Sequence, residues 1–496
     1  MPLVRTPLPR ARWLRSAVLV AASAGLVAAA LPAPAPLGIG DPLFPHLGNP
    51  GYDVLAYTLD LTYPGVNTKP LAAVTRIDAR ATEDLERLNL DFTHGTVSAV
   101  TVDGLPARYT GSGEDLVVTP LVPIDAGEEV EIAVTHTSDP TGPAETGGWV
   151  RTGDGLAMAN QADAGHRVFP SNDHPSDKAY FTFRVTAPSE LTVVANGLPE
   201  GRVDHGATTT WTYRTRHPMA TELAQVSIGR STVVHRAGAH GLPVRDVVAT
   251  ADRQLMEPWL RRTPGHLEWM EKQVGPYPFE TYGVLIADAD TGFELETQTL
   301  SLFERGLFTE PVFPEWYVDS VMVHELAHQW FGDSVSPRAW SDLWLNEGHA
   351  SWYEALYAEE TAGKSLERRM KAAYASSDGW RADGGPPAAP EPPSPDHKIS
   401  LFRPVVYDGS ALVLYALRQE IGTEAFQRLE RRWVAEHRDG TATTADFVRL
   451  AGEVAGRDLT AFLHAWLYEA KTPPMPGHPD WRSRPAETTR TAPKPR

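Results

Sequence analysis

A chain of 496 residues has room for two or three domains, each with a core of its own. Its 42 % hydrophobic and 22 % charged residues exclude wholesale disorder, and a net charge of −18 argues against a nucleic-acid partner, whose phosphates demand a basic face. There is no cysteine, which excludes disulfides and restricts any metal site to His, Asp and Glu ligands.

In chain order, Arg5, Arg10, Arg12 and Arg15 precede an apolar run from Ala17 to Leu31, with small residues at Ala28 and Ala30. That pattern predicts a secretory signal over residues 1–30, and hence a secreted or cell-envelope protein. The run is shorter than the roughly 20 residues of a membrane span, so no stable span is expected after its removal. A retained N-terminal anchor is the alternative. Residues 31–47 follow as a linker.

From 48 to 230 the pattern alternates or runs apolar between Gly, Pro and Asp turns. Strands are predicted at Tyr57–Tyr63, Leu116–Val118, Val130–Val134, Tyr180–Val185, Thr208–Tyr213 and Leu223–Ile228. Two more follow near Val244–Val248 and Tyr282–Ile286. Beyond Pro314 the period becomes helical, with helices predicted at Glu315–Phe331, Glu347–Glu360, Leu366–Ser376, Gly409–Glu420, Glu424–His437 and Leu459–Glu469. The fold class is therefore multidomain, a β domain over 48–230 and then an α+β, mainly helical domain over 231–475. Residues Gly384–Asp396 read as a Pro-rich surface loop, and residues 476–496 as a disordered Pro/Arg-rich tail.

The strongest chemical signal is His324-Glu325-Leu326-Ala327-His328. On a helix, positions i and i+4 share a face, so both imidazoles can address one ion. Glu325 then stands beside a metal-activated water, whose pKa zinc lowers toward about 7, and can complete its deprotonation. The bare string arises by accident in some chains, so helix context and a third ligand carry the inference. Glu347 is that ligand: it opens the next predicted helix, with residues 329–346 between. Three protein ligands leave a fourth position open, the mark of a catalytic zinc. His349, two residues on, faces away on the helix and reads as packing or as support for the ligands. Ser334 stands where another zinc-protease class carries a third histidine.

HELAHQWFGDSV (324–335) followed by DLWLNEGHA (342–350) resembles the central block of the aminopeptidase N family, gluzincin zinc metallopeptidases that also include leukotriene hydrolase. Weaker resemblance runs from Gly48 to Trp481, including VFPSNDHPSDKAYFTFRVTAP, HPMATELAQVSIG and KTPPMPGHPDW. It implies an N-terminal β-saddle domain, a thermolysin-like catalytic domain, one zinc ion per chain, and a short form without the C-terminal helical domain of larger members. The family's Gly-x-Met-Glu-Asn motif matches Phe293-Glu294-Leu295-Glu296-Thr297, so Glu296 is expected to bind the substrate's α-amino group. Phe293, Leu295 and Thr297 depart from the motif, which bears on peptide approach and the first side-chain pocket. Gln161 matches a glutamine that helps hold the amino terminus, and Tyr407 the tyrosine that steadies the oxyanion; Tyr415 fits a packing role.

The expected function is zinc-dependent removal of N-terminal residues from peptides with a free N-terminus, with Glu325 as base. Alternatives on the same residues are a zinc endopeptidase, another zinc hydrolase, or a catalytically inactive secreted peptide-binding protein.

Overall fold

A computed structural model describes residues 37–142, 146–289, 291–394 and 398–484. The expected signal (1–30), residues 31–36 of the linker and residues 485–496 of the tail lie outside the described residues.

The N-terminal region is built on an eight-stranded sheet ordered Leu198–Asp204, Thr208–Arg214, Tyr180–Pro188, Tyr52–Thr62, Leu71–Ala81, Glu129–Ser138, Val97–Val102, Leu105–Pro106. Tyr52–Thr62 and Tyr180–Pro188 run parallel, with Leu59 opposite Phe183; the other neighbours are antiparallel. Strict alternation decides which face is inside: Tyr57, Leu59 and Leu61 are buried, as are Phe181, Phe183 and Val185. A three-stranded sheet and a four-stranded sheet (Thr192–Ala195, Val226–Gly229, Leu156–Ala159, Gly148–Arg151) complete the region. Fold class and chain order are thus as expected, β first and helices after.

The next sheet, Ser231–Ala237, Pro243–Ala249, Val284–Ala287 and Ser301–Glu304, is a wall shared by two cores. Val247, Leu285 and Leu302 belong to the N-terminal core, whereas Val248, Val284, Ile286 and Phe303 belong to the helical one. The two-residue period of a strand sends neighbours to opposite faces, so one short sheet serves both.

Ten helices are described: α1 Arg253–Leu260, α2 Thr263–Val274, α3 Arg305–Thr309, α4 Glu315–Ala327, α5 Trp344–Ala362, α6 Leu366–Gly384, α7 Asp408–Ile421, α8 Thr423–Glu436, α9 Thr444–Ala455 and α10 Thr460–Tyr468. Helix thus begins well before Glu315. Pro258 inside α1 and Pro264 in the first turn of α2 disguise these segments; proline is harmless in a first turn because that N–H has no helical partner. α9 is announced by a capping box, Thr443 and Asp446 exchanging bonds, ahead of buried Phe447, Leu450 and Ala451. Gly384, expected in the loop, is the last residue of α6.

Two stretches of loose composition are packed. Leu43, Phe44 and Leu47 form a small apolar cluster with Ala162, Trp340, Leu343, Leu401, Val405 and Val406. Asp41 locks it, accepting from the backbone of Leu43, Phe44 and Trp340 and facing His174. At the other end Met475 and Trp481 are buried, Trp481 stacking on Tyr415 and His478. Aromatic anchors there outweigh a Pro- and Arg-rich composition, at least as far as Arg484, whose N–H bonds to Ala375.

Candidate metal centre

Helix α4 turns Val318, Met322, Val323 and Leu326 into the helical core, which leaves His324 and His328 on one face at its C-terminal end. The chain then turns sharply at Gly332, whose φ of 137° suits glycine, and a Cβ there would press within 3.4 Å of the His328 ring. Glu347 sits in the first turn of α5, where Gly348 lets α7 approach: a Cβ would lie 2.7 Å from that of Ser410.

These elements bring His324, His328 and Glu347 together. The two Nε2 atoms lie 3.4 and 3.5 Å from the same Glu347 oxygen, Oε2, which is buried and has no hydrogen-bond partner. A tetrahedral zinc with bonds of about 2.1 Å separates neighbouring ligand atoms by about 3.4 Å, so both histidine–glutamate spacings match that ion. Each ring is also oriented from behind. His324 Nδ1 meets Glu354 Oε2 at 3.1 Å, and His328 Nδ1 meets the Phe331 carbonyl at 3.1 Å, which turns both Nε2 atoms toward the common point. Glu354 was not singled out by the sequence reading. Its signal is the spacing of seven from Glu347, two turns along one helix face. Arg369 of α6 donates to Glu354 at 2.7 Å and to Asp408, the first residue of α7, at 2.9 Å; no sequence signal marks it.

The electrostatics agree with a cation at this point. Burial opposes ionisation of Glu347, but His328 and His324 outweigh it and hold the carboxyl at about 2. Burial likewise opposes the charge on Glu354, which Arg369 and His324 bring down to about 2. In return His328 is raised to about 9 by Glu296 and Glu347, against burial, and His324 is raised well above its ordinary value by Glu347 and Glu354, also against burial. Two paired imidazoles surrounded by carboxylates hold protons where a dication replaces them, so metal binding releases protons.

Glu325 is buried beside this group, with one carboxylate oxygen lacking a partner. Burial pushes it up to about 8, with His324 and His328 pulling the other way. Its ligand atoms lie within 4.8 Å of those of Glu296 and His328. His349 takes no part: it stacks on Phe331 at 4.3 Å and donates to the Leu345 carbonyl, inside the core. Tyr415 is likewise a packing residue, against Trp481 and His478.

Glu296 is buried and accepts from Gln161 Nε2 at 2.6 Å, so two residues 135 apart in sequence meet. The backbone beside it makes a single bridge, Leu295 with Leu302, and Glu296 lies just before the turn that the Leu300 N–H closes on the Thr297 carbonyl. Leu295 packs into the N-terminal core and the Thr297 hydroxyl donates to the Leu300 carbonyl. Those two departures from the family motif therefore point into the protein. Phe293 is partly buried on the same core. Tyr407 caps α7 with its ring 6.0 Å from that of His324, and burial together with Glu347, Glu296, Glu325 and Glu354 keeps its phenol protonated well above the usual range.

The peptidase family M1 domain matches residues 260–466. Aminopeptidase N of Streptomyces lividans is 26 % identical over 318 residues, 61 % of this chain but only 37 % of that protein. The M1 zinc metallopeptidase of Deinococcus radiodurans superimposes with a TM-score of 0.76 at 27 % identity, over 91 % of this chain and 99 % of that one. A mutant of it bound to a Tyr-Ser-Ala substrate gives a TM-score of 0.75 at 28 % identity, over 88 % and 99 %. The chain thus spans little more than a third of the first relative and nearly all of the solved one.

Proposed function

Because the chain belongs to peptidase family M1, a family of zinc enzymes, we propose that it is an aminopeptidase that hydrolyses single residues from the free N-terminus of peptides. Three ligands, His324, His328 and Glu347, hold one zinc, oriented by Glu354 and the Phe331 carbonyl. When bound, the ion supplies a Lewis acid and lowers the pKa of a water toward about 7.

The chain's own groups do the rest. Glu325 takes a proton from the attacking water at its free carboxylate oxygen and passes it to the leaving amine as the C–N bond breaks. Tyr407 donates from its phenol to the oxygen on which negative charge builds. Glu296, with Gln161 beside it, receives the substrate's ammonium in a charge-assisted hydrogen bond.

The observation that carries the exopeptidase reading is the closeness of Glu296 to the metal group. An ammonium anchor whose carboxylate lies within 4.8 Å of Glu325 and of His328 leaves room for one residue between the chain end and the bond attacked. The Tyr-Ser-Ala substrate of the D. radiodurans relative supports short peptides as substrates. The test is a matched pair of peptides, one with a free N-terminus and one acetylated. Hydrolysis of the free peptide alone, one residue at a time, is expected; equal hydrolysis of both makes the protein an endopeptidase, and binding without hydrolysis an inactive peptide binder. Export belongs to the same proposal. It rests on the composition of residues 1–30, and mass determination of the N-terminus of protein recovered from culture medium tests it. Among the described residues no helix is long and apolar enough to cross a membrane.

A further inference from the structure

Gln329 follows the metal ligand His328 directly, and its side chain is completely buried. Its amide orientation is settled by its partners. Oε1 accepts from the Thr299 N–H at 2.8 Å and from the Tyr277 hydroxyl at 3.0 Å, while Nε2 donates to the Glu296 carbonyl at 2.9 Å. A backbone N–H only donates and a carbonyl only accepts, so the reverse orientation loses both backbone contacts. One side chain just past the end of the metal helix therefore clamps both ends of the segment 296–299, around the turn that the Leu300 N–H closes on the Thr297 carbonyl.

That turn needs a clamp. Thr299 has φ of 69°, a left-handed conformation that a β-branched residue adopts only when its surroundings impose it. Gln329 holds its N–H, and its hydroxyl accepts from the Gly197 N–H at 2.9 Å. At the other end Glu296 is held twice, by Gln329 at its carbonyl and by Gln161 at its carboxylate. From these contacts we propose that Gln329 is a positioning residue that sets the distance between the amino-terminal anchor Glu296 and the metal ligands, and so fixes cleavage at one residue from the chain end. The proposal rests on the aminopeptidase reading, with Glu296 as the anchor.

Loss of the amide leaves the Glu296 carbonyl and the Thr299 N–H buried without partners, and the turn relaxes. The metal ligands keep their own supports, so zinc stays while the anchor moves. The experiment uses the full-length, zinc-loaded protein carrying Glu325→Gln, so that binding is read without turnover. Calorimetry compares Tyr-Ser-Ala with its N-acetyl form for Gln329→Met, Glu296→Ala and the double variant. Gln329→Met is expected to weaken binding of the free peptide by about tenfold while leaving the acetylated one and the zinc stoichiometry unchanged. In an otherwise native background it should lower kcat/KM by about 10²-fold, the scale of a 1 Å misplacement, about tenfold of it through KM and the rest through kcat. Added to Glu296→Ala it should change little, because the group it positions is gone.

Equal weakening of both peptides, loss of zinc in parallel with affinity, or full additivity in the double variant overturns the proposal and leaves Gln329 as core packing. If Glu296→Ala alone leaves the preference for the free amine intact, the anchor assignment itself fails and the Gln329 proposal falls with it. Should Gln329→Met not fold, Gln329→Leu, of similar size and with neither donor nor acceptor, carries the same comparison.

Discussion

The two halves of the site are built on different plans. The metal half comes from two neighbouring helices: His324 on α4 and His328 at its C-cap, Glu347 and Glu354 on α5, with ligand atoms converging at 3.4 and 3.5 Å. The anchor half is assembled from loops, with Gln161 reaching Glu296 across 135 residues and Tyr407 standing at the start of α7. Helix spacing pairs the two histidines and residues close by in sequence supply Glu347 and the supports, whereas the anchor depends on every element between the two segments being in place. In the proposed function, chemistry is thus carried by the metal group and choice of substrate by long-range packing.

Substitutions separate the halves. The largest effect is expected from Glu325→Gln, which should lower turnover by about 10²–10⁴-fold with zinc content unchanged at one per chain, as read by metal analysis beside a peptide assay. Activity that survives breaks the assignment of the base. Tyr407→Phe should cost about 10²–10³-fold in kcat, with little change in substrate binding or in zinc content. Glu354→Ala acts on the ligands from behind: metal affinity, measured by competition with a chelator, should weaken about 10–100-fold, with activity restored by excess zinc. Failure of zinc to restore it means that Glu354 does more than aim His324.

The smallest effect lies in the N-terminal region and touches stability alone. His166 Nδ1 and Asp173 Oδ2 are buried 2.6 Å apart. Burial opposes the imidazolium, but Asp173, with Asp91 and Asp163, raises it from 6.5 to about 9. A pKa raised by folding stabilises fully below the unfolded value, and that stabilisation is lost as pH rises from about 6.5 through 9. The melting temperature of the native protein should therefore exceed that of His166→Gln by several degrees at pH 6, with the gap closing by pH 9.5. A gap independent of pH assigns His166 to packing rather than charge.

What the sequence discloses follows the same division. The metal ligands and Glu325 were legible from spacing, because a helix converts i, i+4 into a shared face. The sheet region was legible from alternation, as in Tyr57, Leu59 and Leu61. Gln161, Glu296 and Tyr407 were reached only through family resemblance, since no local pattern records a contact made by folding. Helices α1 and α2 were hidden by prolines, Pro264 in a first turn that tolerates it and Pro258 inside the short α1. Arg369 and Gln329 carried no signal, for each owes its importance to hydrogen bonds with residues far along the chain.

The short apolar staple around Phe44 has a practical side. Its cluster includes Ala162 and Val406, the immediate neighbours of Gln161 and Tyr407, and Asp41 fastens it to Trp340. A purification tag or a protease cut that unseats Asp41–Leu47 therefore loosens at once the two side chains proposed to meet the substrate, though it lies more than a hundred residues upstream of either. Preparations trimmed at that point should still retain zinc yet handle peptides poorly, a failure easily mistaken for a wrong choice of substrate.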